Sequence, residues 1–181
     1  YTGQASLQVA KPGGQYVRVE VQGAAGQTFQ VRFNQTDNGW ALSSLTEIKS
    51  QDISNYHLDS RVNYEFGVVA GTYRMVRTFS ETQLQYTAPA THPSGASVYG
   101  GLNEVTYVYD ENGNTMEITS KITRINDGVV VPAESSVRTT LFFNDGVART
   151  DAEIEAILAA RPADESGFKQ TFDVQIRDLA A

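Results

Sequence analysis

Residues 107–118, YVYDENGNTMEI, hold the one cluster whose residue types and spacing suggest a cation site. Asp110, Asn112 and Asn114 stand two apart, as oxygen ligands do at the start of a calcium loop. Counted from Asp110, an EF-hand would need glycine at its sixth position and a bidentate glutamate at its twelfth. Thr115 and Lys121 occupy those places. A lysine cannot supply a carboxylate, and the flanks alternate like strands. Asn112-Gly113 is a preferred pair for a tight type I′ hairpin turn. The cluster therefore reads first as a turn, with a nonstandard calcium site as the minor reading. No cofactor is expected.

Other chemistry is sparse. The histidines are His57 and His92, and neither sits in an H-E-x-x-H pattern. Asp59 follows His57 by two, which puts both on one face of a strand as a weak pair of metal ligands. His92 precedes Pro93 in a polar stretch and reads as solvent-exposed. A glycosidase would need two carboxylates across a cleft, and Glu65, Glu104 and Glu117 are strand-borne candidates. Charges on an outer sheet face are ordinary, however, and spacing alone cannot set any two of these opposite one another. No nucleophile elbow, P-loop or dinucleotide fingerprint occurs. The expectation is a non-enzyme. Trp40, Tyr56, Tyr99 and Tyr109 are aromatics that could reach solvent, and the first three give an alternative reading as a platform that stacks on a sugar ring or other ligand.

Most of the chain that would position these residues alternates with a period of two. The clearest strands are 16–21, 28–33, 61–69, 71–79, 104–109, 115–125, 136–143 and 171–176, with 5–10 weaker. In 71–79, Tyr73, Met75 and Phe79 line one side and Arg77 interrupts it. Phe29, Phe33, Phe66, Phe142 and Phe172 read as core. Turn residues separate the strands, as at 11–15, 23–27, 36–40, 111–114, 126–128 and 144–146. Alternation implies antiparallel pairing with one buried face. The expected fold is all-β: an antiparallel β-sandwich of Greek-key or jelly-roll type, one domain over 1–181. Two stretches break the pattern. Residues 41–60 read as a short helix or a long connection, and 88–101, rich in Pro, Gly and Ser, as a long loop.

One helix is expected at 150–161. Thr150 and Glu153 have capping-box spacing, and Asp151 favours the first turn. Ile154, Ile157 and Leu158 form an apolar stripe, and Pro162 follows the end.

With 181 residues and no cysteine, the chain has length for a core without disulfides or thiolate chemistry. Its net charge of -7, with no basic cluster, disfavours nucleic acid as a direct partner. No apolar run has the ~20 residues of a membrane helix. The sequence starts at Tyr1 rather than Met, which fits removal of a leader, and no signal peptide is visible within it. The expectation that best fits these features is a structural subunit of a larger assembly, such as a virion capsid protein or an extracellular filament subunit. It would work through homo-oligomeric contacts or contacts with related subunits. The alternative is a secreted carbohydrate-binding module.

Overall fold

The computed structural model describes residues 5–9, 16–22, 27–36, 39–53, 56–86, 97–164 and 166–178. Eleven strands join one sheet. They are β1 (Ala5–Val9), β2 (Tyr16–Gln22), β3 (Gln27–Thr36), β4 (Gly39–Ile53), β5 (Tyr56–Val69), β6 (Thr72–Tyr86), β7 (Ser97–Tyr109), β8 (Thr115–Asn126), β9 (Val129–Val130), β10 (Ser136–Phe143) and β11 (Lys169–Ile176). Strands β1 to β8 follow one another in space as in sequence, each antiparallel to the last. Next, β10 pairs with β8, the short β9 hooks onto the end of β8, and β11 lies parallel to β10.

The all-β, antiparallel expectation holds. The Greek-key arrangement does not describe these strands. A Greek key needs a strand that skips its neighbours, whereas β1 to β8 form a plain meander with β1 and β11 at its edges. Of residues 41–60, those at 41–53 belong to the long strand β4 and those at 56–60 start β5, in place of the expected helix or connection. Polar residues sit on both faces of β4 (Ser44, Thr46 and Ser50 against Glu47 and Lys49), which hides its period of two. Of the expected loop 88–101, residues 97–101 are already β7, and 88–96 lie outside the described residues.

Pairing registers assign the faces. From β3 to β6, Phe29, Val31, Leu45, Leu58, Val62, Tyr64 and Leu84 lie on one face, here the apolar face, which on β6 also carries Thr78, Ser80 and Thr82. The other, polar face of β3 to β7 carries Arg32, Asp52, His57, Asp59, Arg61, Glu65, Arg77, Glu81 and Glu104. A bulge between Glu65 and Phe66 shifts the phase of β6. Phe79 therefore falls on the polar face, opposite Asn63, rather than beside Tyr73 and Met75. The Arg77 guanidinium stacks on the Phe79 ring at 5.4 Å, so the apparent interruption and the apolar residue next to it pack together.

At the C-terminal end the faces exchange roles. Val137 and Leu141 of β10 stand beside Lys121 and Glu117 on the continuation of the polar face. The crossover from β10 to β11 contains α1 (Asp151–Ala159), bounded as the capping signal predicts. Thr150 Oγ1 accepts the Glu153 N–H, and Glu153 Oε2 accepts the Thr150 N–H at 2.8 Å. The crossover is tied to that face by Arg161 to Glu117 at 2.8 Å, by Asp164 to Lys121 at 3.8 Å, and by Lys121 over the Phe168 ring. A parallel pair needs such a connection.

Among the described residues the closed-off hydrophobic side chains are Ala41, Val137, Leu141 and Phe142. The small core thus gathers at β10. Of the five phenylalanines expected inside, Phe142 is buried, whereas Phe29, Phe33, Phe66 and Phe172 stay half-buried. The alternation was real, but the second layer that would close over the apolar face is not among the described elements.

Candidate functional site

The β4–β5 hairpin pairs Ser50 with Asp59 and Asp52 with His57, which sets the four side chains in a square on the polar face. His57 Nδ1 lies 2.6 Å from Asp52 Oδ1, and Nε2 lies 3.1 Å from Asp59 Oδ1. Ser50 Oγ is 3.0 Å from His57 Nε2 and donates to Asp59 Oδ1 at 2.5 Å. The bond to Asp52, helped by Asp59, pushes the His57 pKa up against a smaller opposing desolvation.

Serine on one ring nitrogen and aspartate on the other is the connectivity of a nucleophilic triad. Two features oppose that chemistry. A raised pKa favours imidazolium, which has no lone pair to take the Ser50 proton. The Asp59 carboxylate already accepts that proton, and it would repel a developing oxyanion. The square works instead as a charge clamp, with one cation shared by two carboxylates from adjacent strands. Asp52 and Asp59 bond opposite edges of the ring, so the pair His57 and Asp59 does not extend through Asp52 to a third ligand on one cation. Among the described residues no group of three His, Asp or Glu side chains is arranged to hold a metal ion.

A second polar cluster lies further along the sheet. Arg77 Nη1 meets Glu65 Oε1 at 3.0 Å, and Arg77 Nε meets Glu104 Oε1 at 3.1 Å. Asn63 Nδ2 also donates to Glu65, and Thr46 Oγ1 donates to Asn63. Two of the candidate glycosidase carboxylates are thus brought together, but a guanidinium stands between them where a sugar ring would need to lie. Glu117 is engaged by Arg161, and His57 is about 26 Å along β5 from Glu65 at ordinary strand rise. The carboxylates and the histidine do not converge.

Asp110, Asn112 and Asn114 form the β7–β8 turn. Asp110 Oδ1 accepts the N–H groups of Asn112 at 2.9 Å and Asn114 at 2.8 Å, and Oδ2 accepts Asn114 Nδ2 at 3.0 Å. These bonds, the Asn114 side chain first, hold the Asp110 carboxyl below its usual range. Gly113 takes φ 83°, which the turn requires. Both carboxylate oxygens are spent inside the loop, the arrangement of an Asx-type turn.

Of the aromatic candidates, Tyr56 starts β5 and is half-buried, and Tyr109 is half-buried with its hydroxyl donating to the Met75 carbonyl at 2.7 Å rather than facing water; the side chains of Trp40 and Tyr99 lie outside those described. Backbone positions are nonetheless fixed. Trp40 pairs with Gln35, while Tyr56 pairs with Ile53 at the far end of β4, about 40 Å away at strand rise. Tyr99 pairs with Leu84, whose other neighbour is Leu58, so it shares Tyr56's end of the sheet. Trp40 cannot join them in one platform.

Sequence reasoning missed Ser50 and Asp52. The pattern S-x-D at 50–52 and H-x-D at 57–59 would have shown them, had residues 41–60 been read as two paired strands. Hollows on both sheet faces are shallow; one of about 340 Å³ is lined by Ser80, Thr82, Gly101, Leu102, Asn103, Ile122 and Arg124. It has no convergent titratable groups. Comparison with known proteins gives no match to a protein family, to a curated protein or to a solved structure.

Proposed function

We propose that the chain is a non-enzymatic structural subunit of a larger assembly, acting through contacts of its open sheet with other subunits. The observation that carries this reading is its surface. In the lone chain Phe29, Val31, Leu45, Leu58, Val62 and Tyr64 stay only half-buried, and Val68 and Tyr73 are exposed. A sheet with an apolar face needs a second layer. Here the described chain supplies one only over β10, through the α1 crossover. A β-sandwich, jelly-roll-like or otherwise, then arises between subunits, where a neighbour's sheet closes over the apolar face. A virion shell or an extracellular filament is the kind of assembly such a subunit suits.

Light scattering on a sizing column, followed by negative-stain imaging of any large peak, tests the reading. Discrete oligomers, sheets or filaments are expected. A monodisperse monomer at every concentration, with no dye-accessible apolar surface, would overturn it.

A further inference from the structure

We infer that the apolar face of β3–β6 packs against the same face of a second copy of this chain, across a two-fold axis that sets Glu47 against Lys49 of the other copy in both directions. This rests on the subunit reading above and names its contact. The centre of the face is Phe29, Val31, Leu45, Val62 and Tyr64, all half-buried and joined through the β3–β4 and β4–β5 registers around Glu47, with Leu58 standing apart beside Gln51 and Leu84. Among the described side chains on this face of β3 to β7, the charged ones are Glu47 and Lys49, neighbours at alternate positions of β4.

Their signs select the occupant. An acid and a base two residues apart on one strand are self-complementary under two-fold symmetry, because each meets the opposite sign when the strand is reversed. A membrane surface or a strongly charged partner would leave one of the pair against like charge or without a partner. Gln27 Nε2 donates to Glu47 Oε1 at 2.6 Å, which orients the carboxylate within the face. Lys49 is exposed and free to reach across. On the polar face Asp52, Asp59, Glu65 and Glu104 are already joined within the sheet through His57 and Arg77.

Sedimentation equilibrium on the full chain tests this, with circular dichroism to show that each variant is folded. E47K and K49E should each weaken association by about tenfold or more, since each sets like charges together twice. The double variant E47K/K49E should regain most of the wild-type affinity. R61E, on the opposite face, should leave association unchanged. A second measurement needs no variant: carbodiimide coupling of mixed isotope-labelled and unlabelled protein should give a Glu47–Lys49 cross-link between copies. If the wild type associates, but the single swaps have no effect and no such cross-link forms, the contact is elsewhere and this inference falls while the subunit reading stands. If the wild type is monomeric throughout, this inference falls, and the subunit reading falls with it where no apolar surface binds dye.

Discussion

At the scale of single residues, His57 is the described histidine, and its charge changes with pH near neutrality. Asp52 and Asp59 lie on its two nitrogens, and Arg61 is the next charged position on the same face of β5. The folded-state pKa is raised above 6.5. The clamp's contribution to stability is therefore fully present below about pH 6.5 and is lost as pH rises through the raised value. The expected result is an NMR titration of His57 shifted upward, and returned toward the ordinary value in D52N. The stability difference between wild type and D52N should shrink at alkaline pH, and a difference independent of pH would contradict the clamp. Fluorophosphonate should not label Ser50, because the imidazolium cannot act as its base. The bond between His57 and Asp59 was legible as a same-face pair two apart. The half of the clamp from Ser50 and Asp52 was not, because it depends on which residue of β4 faces which residue of β5.

At the scale of elements, strands were legible wherever one face was apolar and the other polar. The β10 bounds, 136–143, are the ones its alternation gives. β4 was hidden because Glu47 and Lys49 interrupt its apolar face, and those are the residues assigned here to a contact with another copy. Sequence alternation reports whether a face leaves water. It does not report whether the cover comes from the same chain, so a sandwich was expected where an open meander stands. The bulge at Glu65 and Phe66 was likewise invisible, since it changes the phase of β6 without changing its composition. The helix is the most local element and was read most closely. Its capping box predicts that T150A costs about 1 kcal/mol, seen as faster amide exchange along α1. E153Q, which keeps a side-chain acceptor for the Thr150 N–H, should cost less. Equal exchange in wild type and T150A would show that tertiary contacts, such as Arg161 with Glu117, hold the helix without its cap.

At the scale of the whole molecule, stability and association are one quantity. Most apolar side chains on the β3–β6 face stay half-buried in the lone chain, and the closed core sits near β10, where Arg177 lies 4.0 Å over the Phe142 ring and Arg149 lies 4.0 Å over that of Phe143. The unfolding midpoint should therefore rise with protein concentration, because a partner that binds only the folded form stabilises it by mass action. A midpoint that stays fixed over a hundredfold dilution would count against the assembly. The meander has a further consequence, for how the sheet is made. From β1 to β8 each strand's next partner is the next strand to be synthesised, so the sheet can grow at one edge in order of appearance, closing one short loop at a time. Only β11 must wait for a helix to carry it across. A chain built this way can gain or lose a hairpin in its middle and keep every other pairing in register, which makes the width of the sheet a variable that evolution can set to match the size of what it covers.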